Sequence, residues 1–94
     1  MEIKNSKKVE IVVDTIYIGY IIEILEKFNI ENWTIIRDVV GKINSNFKYE
    51  GEISANSYIF FTCQEDKFYK VLQELEEFIN KFGGLLIYYD IRSI

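Results

Sequence analysis

The sequence predicts an α+β fold in the order strand, helix, strand, strand, helix, strand, with four antiparallel strands and both helices on one sheet face. Three observations predict it. Apolar residues recur at three- and four-residue spacing in two segments, Ile18 to Phe28 and Phe68 to Phe82. Four β-rich runs flank those segments. A Gly83-Gly84 pair separates the second helical stripe from the last run.

Met1 to Ser6 is polar and reads as a frayed end. The first strand is Val9-Glu10-Ile11-Val12-Val13, partly alternating. Asp14 and Thr15 offer side-chain oxygens to the exposed amides of a helix start. Ile18, Ile21, Ile22, Leu25 and Phe28 then fall on one helical face, and the helix is expected to stop near Asn29. Gly19 weakens that helix by about 1 kcal/mol against Ala, which suggests a close backbone contact there. Trp33 to Val40 reads as the second strand, with Trp33 packing in the core or at an interface.

Gly41 to Asn56 holds Asn, Ser, Gly and charges around Phe47, Tyr49 and Ile53 without a steady period. Ser57 to Cys63 is a clear third strand, so 41–56 is expected to be a long hairpin loop, a type that is usually functional. The second helix has the strongest pattern. Phe68, Val71, Leu72, Leu75, Phe78, Ile79 and Phe82 form its stripe, with Glu65, Asp66, Glu74, Glu76 and Glu77 largely off it as a solvated face. Lys81 complements the dipole at its end, and Gly83-Gly84 stops it. Leu85 to Tyr89 is the fourth strand, which Asp90 to Ile94 either continues or follows as a tail. Leu86, Tyr88 and Asp90 would face away from Leu85, Ile87 and Tyr89, so both sheet faces are substantially apolar. The arrangement is ferredoxin-like, and its uncovered sheet face predicts oligomerisation.

At 94 residues the chain has length for one domain, 1–94, and too little for two. Hydrophobic residues at 49% and charged residues at 28% fit a folded globule and exclude a disordered tail. Seven Phe, seven Tyr and one Trp supply large buried surfaces and leave aromatics for a subunit interface. A net charge of −4 argues against nucleic-acid binding, which needs a basic face. Cys63 has no second cysteine to pair with and reads as a packed, inert thiol. With no signal-like run and no apolar stretch near the roughly 20 residues of a membrane span, the chain reads as cytoplasmic and not membrane-inserted.

No histidine is present, which removes Ser-His and Cys-His catalysis and every imidazole metal site. No carboxylate pair is placed for acid–base work, so the chain reads as a non-enzyme. Gly41-Lys42 suits a phosphate, through backbone amides and a point charge, but also suits a strand end beside a solvated lysine. Arg37 and Arg92 suit either anion contacts or ion pairs between subunits.

Four local features resemble the PII family of signalling proteins. Val13-Asp14-Thr15 leads directly from strand to helix, and Asn32-Trp33-Thr34-Ile35 resembles the opening of the second PII strand. Val39-Val40-Gly41-Lys42 resembles the start of the long PII T-loop. Lys81 to Tyr88, with Gly83-Gly84-Leu85-Leu86 at its centre, is similar to the same region in PII-like proteins associated with bicarbonate transport. The resemblance runs from Lys8 to Ile91 and is closer to these divergent members than to nitrogen-regulatory PII.

It implies a homotrimer with its sheets at the centre and adenine nucleotides in the clefts between subunits. The T-loop of such a protein contacts a membrane transporter or a metabolic enzyme. Carried over residue by residue, it implies effector contacts at Thr34, Arg37, Gly41, Lys42, Gly83, Gly84 and Arg92, and partner contacts at Phe47, Tyr49 and Ile53. Gly83-Gly84 stands where nitrogen-regulatory PII has a longer Gly-Asp-Gly-Lys loop, so ATP, ADP, AMP, cyclic AMP or no nucleotide all stay open. No cofactor is required. The rival readings are an ACT-type regulatory module, which pairs its sheets edge to edge as a dimer, and a PII-like protein that binds a metal or an anion.

Overall fold

A computed structural model describes residues 2–40 and 55–94. The elements run β1 (Lys4–Asp14), a 3-10 turn (Thr15–Tyr17), α1 (Ile18–Lys27), β2 (Trp33–Val39), β3 (Asn56–Cys63), α2 (Glu65–Phe82) and β4 (Leu85–Ser93). The strands form one sheet in the order β2-β3-β1-β4, antiparallel throughout as the sequence pattern predicts.

Each helix forms where its apolar stripe meets the sheet. Val9, Ile11 and Val13 of β1 and Ile59 and Phe61 of β3 point to one side and are fully buried. Against them pack Ile21 and Leu25 of α1 and Phe68, Val71, Leu75 and Phe78 of α2. Each such side chain contributes roughly 1.5–3 kcal/mol by leaving water, which fixes both helices on this face. A Lys27–Glu74 ion pair ties the two helices at the surface.

The ends of the elements follow local chemistry. Asp14 accepts from the Ile16 amide at 3.1 Å and so starts the 3-10 turn that leads into α1. Asn29, at φ 55°, ends α1, while the Ile30 amide bonds back to the Leu25 carbonyl at 2.9 Å. In α2 the Gln64 side chain makes no capping bond; Glu65 and Asp66 instead complement the positive pole of the helix. At the other end the Gly83 amide reaches the Ile79 carbonyl at 2.8 Å, with Gly83 at φ 86°.

Three expectations are corrected. Lys4, Asn5 and Ser6 are not frayed but pair with Ser93, Arg92 and Ile91, because β4 continues past Asp90 and supplies the partner. Gly19 makes no close contact: a Cβ built there meets nothing within 4 Å. Asn56, grouped by its polarity with the loop, is the first residue of β3 and is 1% exposed. The rest of the expected loop, 41–54, lies outside the described residues.

Candidate functional site

Polar groups gather in the sheet at two places, the end where β1 finishes and the face opposite the helices. At that end β1 leaves the sheet, β3 enters it and β4 begins. Three polar side chains are buried there: Asp14, Asn56 and Ser57. The Thr15 and Ser57 hydroxyls lie 2.9 Å apart in a hydrogen bond, and the Thr15 amide donates to the Ala55 carbonyl at 2.9 Å. These bonds stitch the start of the 3-10 turn to the start of β3. On the neighbouring strand, Asp38 takes φ 59° within a bulge between the Ile36 and Val39 pairings, which turns the end of β2.

Gly84 occupies the same end on the β4 side. Its φ is 129°, and a Cβ there would fall 2.8 Å from the Val12 carbonyl oxygen and 2.9 Å from Ile79 Cδ1. Only glycine lets β4 start this close to β1. Gly83 and Gly84 therefore both answer a backbone requirement: one ends α2 and the other admits the strand.

The open face carries Lys8, Glu10 and Val12 of β1 beside Tyr58 and Phe60 of β3 and Leu85, Ile87 and Tyr89 of β4, as the strand register requires. Ile36, Leu85, Ile87 and Tyr89 are 42–50% exposed. At its centre the Tyr89 hydroxyl donates to Glu10 Oε1 at 2.5 Å, and Lys8 Nζ lies 3.5 Å from the same oxygen. Lys8 Nζ also sits 4.7 Å from the centre of the Phe60 ring. The Tyr89 hydrogen bond holds the Glu10 carboxyl below its usual value, and Lys8 adds to the effect. Burial against the rings disfavours the Lys8 charge, but Tyr89, Tyr58 and Glu10 outweigh it and leave the ammonium raised. Burial, then the Glu10 charge, raises Tyr58. Sequence alternation exposes Lys8 and Glu10 on this face; their meeting with Tyr89 depends on strand pairing and was not read from the sequence.

Among the residues singled out from the sequence, Thr34 lies on the open face of edge strand β2, opposite Phe60, and is exposed. Arg37 is exposed near the bulge of β2. Arg92 is exposed near the end of β4, opposite Asn5. Neither arginine makes an ion pair with a described residue. One chain does not bring these groups together. Gly84 and Arg92 are eight residues apart along a strand, about 27 Å at 3.4 Å per residue. Arg37 and Gly84 flank opposite edges of the sheet, about 14 Å apart across three strand spacings. Gly41, Lys42, Phe47, Tyr49 and Ile53 lie outside the described residues.

Near the Arg92 end, β1, β4 and the start of α2 enclose a groove of about 530 Å³ lined by Asn5, Ser6, Lys7, Glu65, Asp90, Ile91 and Arg92. Lys7 and Asp90 are paired across it at 2.5 Å, and that hydrogen bond raises the Lys7 ammonium. Cys63 is partly buried, and burial raises its thiol above the usual value, so it is held as the neutral thiol. Among the described residues no three His, Cys, Asp or Glu side chains gather to hold a metal ion, and no helix is long and apolar enough to cross a membrane.

No protein-family model matches the chain, and no curated relative is similar to it. Solved structures do match. CPII of Thiomonas intermedia K12, a nitrogen regulatory PII-like protein solved with ADP, AMP and bicarbonate, superposes with a TM-score of 0.81 at 18% identity, over 99% of this chain and 97% of that one. A PII-like signalling protein of Thermus thermophilus gives 0.79 at 16% identity, over 100% of this chain and 94% of that one. GlnK of B. subtilis, solved in complex with ATP, gives 0.62 at 19% identity over 93% and 82%. The chain therefore has the βαββαβ fold of the PII-like signalling proteins, nearer in shape to CPII than to GlnK.

Proposed function

We infer that the 94 residues act as one PII-like regulatory domain, a cytoplasmic homotrimer and not an enzyme, that senses an adenine nucleotide between its subunits. One observation carries this reading. The candidate effector contacts that can be located lie on opposite edges and ends of a sheet whose second face no described residue covers. A neighbouring subunit is the simplest means of bringing such contacts to one ligand. CPII, solved with ADP, AMP and bicarbonate, supports the choice of ligand class.

Thr34, Arg37, Gly41, Lys42 and Arg92 are the proposed contacts, with Lys42 the cation for phosphate. Gly83 and Gly84 contribute backbone to the cleft wall. Segment 41–54 is the proposed T-loop, offering Phe47, Tyr49 and Ile53 to a transporter or metabolic enzyme. Effector binding regulates the partner only in so far as the effector prefers one state of that segment.

Calorimetric titration with ATP, ADP, AMP and cyclic AMP, with and without bicarbonate and magnesium, tests the reading. The expected result is saturable binding at one site per subunit, abolished by Lys42→Ala. A protein that releases no heat with any of these ligands refutes nucleotide sensing. Light scattering on the same sample gives the subunit count, and a mass of two chains favours the edge-paired ACT-type dimer.

A further inference from the structure

We propose that Lys8, Glu10 and Tyr89 form the polar centre of the self-association surface, where a charge pair that assembly buries makes the open sheet face selective for copies of this chain. The inference rests on the trimer reading above and deepens it by naming the groups that decide assembly.

Charge distribution points to the occupant. The chain carries a net charge of −4, so copies repel wherever acidic surfaces meet. Much of the acid lies on the helices, with Glu23 and Glu26 on α1 and Glu65, Asp66, Glu74, Glu76 and Glu77 on α2. By contrast, the centre of the open face holds one lysine and one glutamate, already paired. Around that neutral pair stand Val12, Tyr58, Phe60, Leu85, Ile87 and Tyr89. This apolar surface is one on which an acidic chain meets its own copies without like-charge repulsion.

The pair is also partly dehydrated before assembly. The Lys8 and Glu10 side chains are only 27% and 21% exposed, shielded by the Phe60 and Tyr89 rings. Neighbouring chains packed on this face would remove the remaining water. Lys8 without Glu10, or Glu10 without Lys8, would then be an uncompensated charge in an apolar interface. Removing both charges leaves no such penalty. In the lone chain the Lys8–Glu10 attraction is still wetted and adds little to folding beside the Tyr89–Glu10 hydrogen bond.

The test compares wild type, Lys8→Met, Glu10→Gln and the double variant by sedimentation across a dilution series, with circular dichroism reporting the fold. Each single variant should keep its fold and lose association by at least about tenfold, while the double variant recovers most of it. Single variants that assemble like a trimeric wild type overturn the role of the pair and leave the trimer standing. A double variant as weak as the singles also overturns it. A wild-type chain that stays monomeric at every concentration overturns the trimer itself, and this proposal with it.

Discussion

Replacing Gly84 with alanine tests whether this glycine is there for the backbone. At φ 129° an L-residue is strained, which costs about 1–3 kcal/mol. The new methyl group would also lie 2.8 Å from the Val12 oxygen, 2.9 Å from Ile79 Cδ1 and 3.0 Å from Val13 Cγ1. Ile79 can turn away, but the Val12 carbonyl belongs to the central strand β1, bonded on both sides, and cannot. Crowding of this kind adds about 1–3 kcal/mol. Stiffening of the unfolded chain returns roughly 0.4–1 kcal/mol.

The net expected loss is about 1–5.5 kcal/mol, a large share of the roughly 5–14 kcal/mol that a domain of this size has in total. Urea unfolding followed by circular dichroism measures it directly. With a slope near 1 kcal/mol per molar urea, the midpoint should fall by about 1 M or more. A variant within about 0.5 kcal/mol of wild type would refute the backbone account and leave contact with a ligand as the reason for the residue.

Two further outcomes follow from the same geometry. Gly19→Ala, in an exposed helical position with open space for a methyl group, should stabilise the chain by about 0.5–1 kcal/mol in the same urea assay; a loss would mean a neighbour occupies that space. The Glu10 carboxyl is depressed in the fold, so its contribution is present above the unfolded value of about 4.3 and fades as pH falls through the folded value. Urea midpoints of wild type and Glu10→Gln should therefore differ near neutral pH and converge in acid, and a gap unchanged by pH would contradict the Tyr89–Glu10 bond.

What the sequence disclosed follows a physical line. Side chains that face the core repeat with the period of their own element, so both helical stripes and the alternation of Leu86 and Tyr88 against Ile87 and Tyr89 were legible. The stop at Gly83-Gly84 was legible because positive φ has few residue types to serve it. Lys4 to Ser6 were not, since nothing local favours a strand there; their order comes from Ile91, Arg92 and Ser93 across the sheet. Asn56 misled for a similar reason: a polar side chain looks like loop until a strand such as β1 pairs with it, here through Asp14. The candidate site was legible only as residue types. The distance from Gly84 to Arg92 is a property of the sheet, and it turns a list of residues into a question about neighbouring chains.

On the proposed assembly, ligand binding and self-association are one linked equilibrium. Thr34 and Arg37 lie on edge strand β2, while Gly84 and Arg92 lie at opposite ends of edge strand β4. A ligand that needs both edges or both ends gains its full contacts only where two chains meet. Whatever factor assembly adds to ligand affinity, the ligand must add to assembly. The Lys8–Glu10 pair then acts on ligand affinity without touching the ligand, because it sets how often the two halves of the site are together. Contacts at the sheet edges and charges at the sheet centre therefore belong to the same thermodynamic cycle, and a change in either appears as a change in the other.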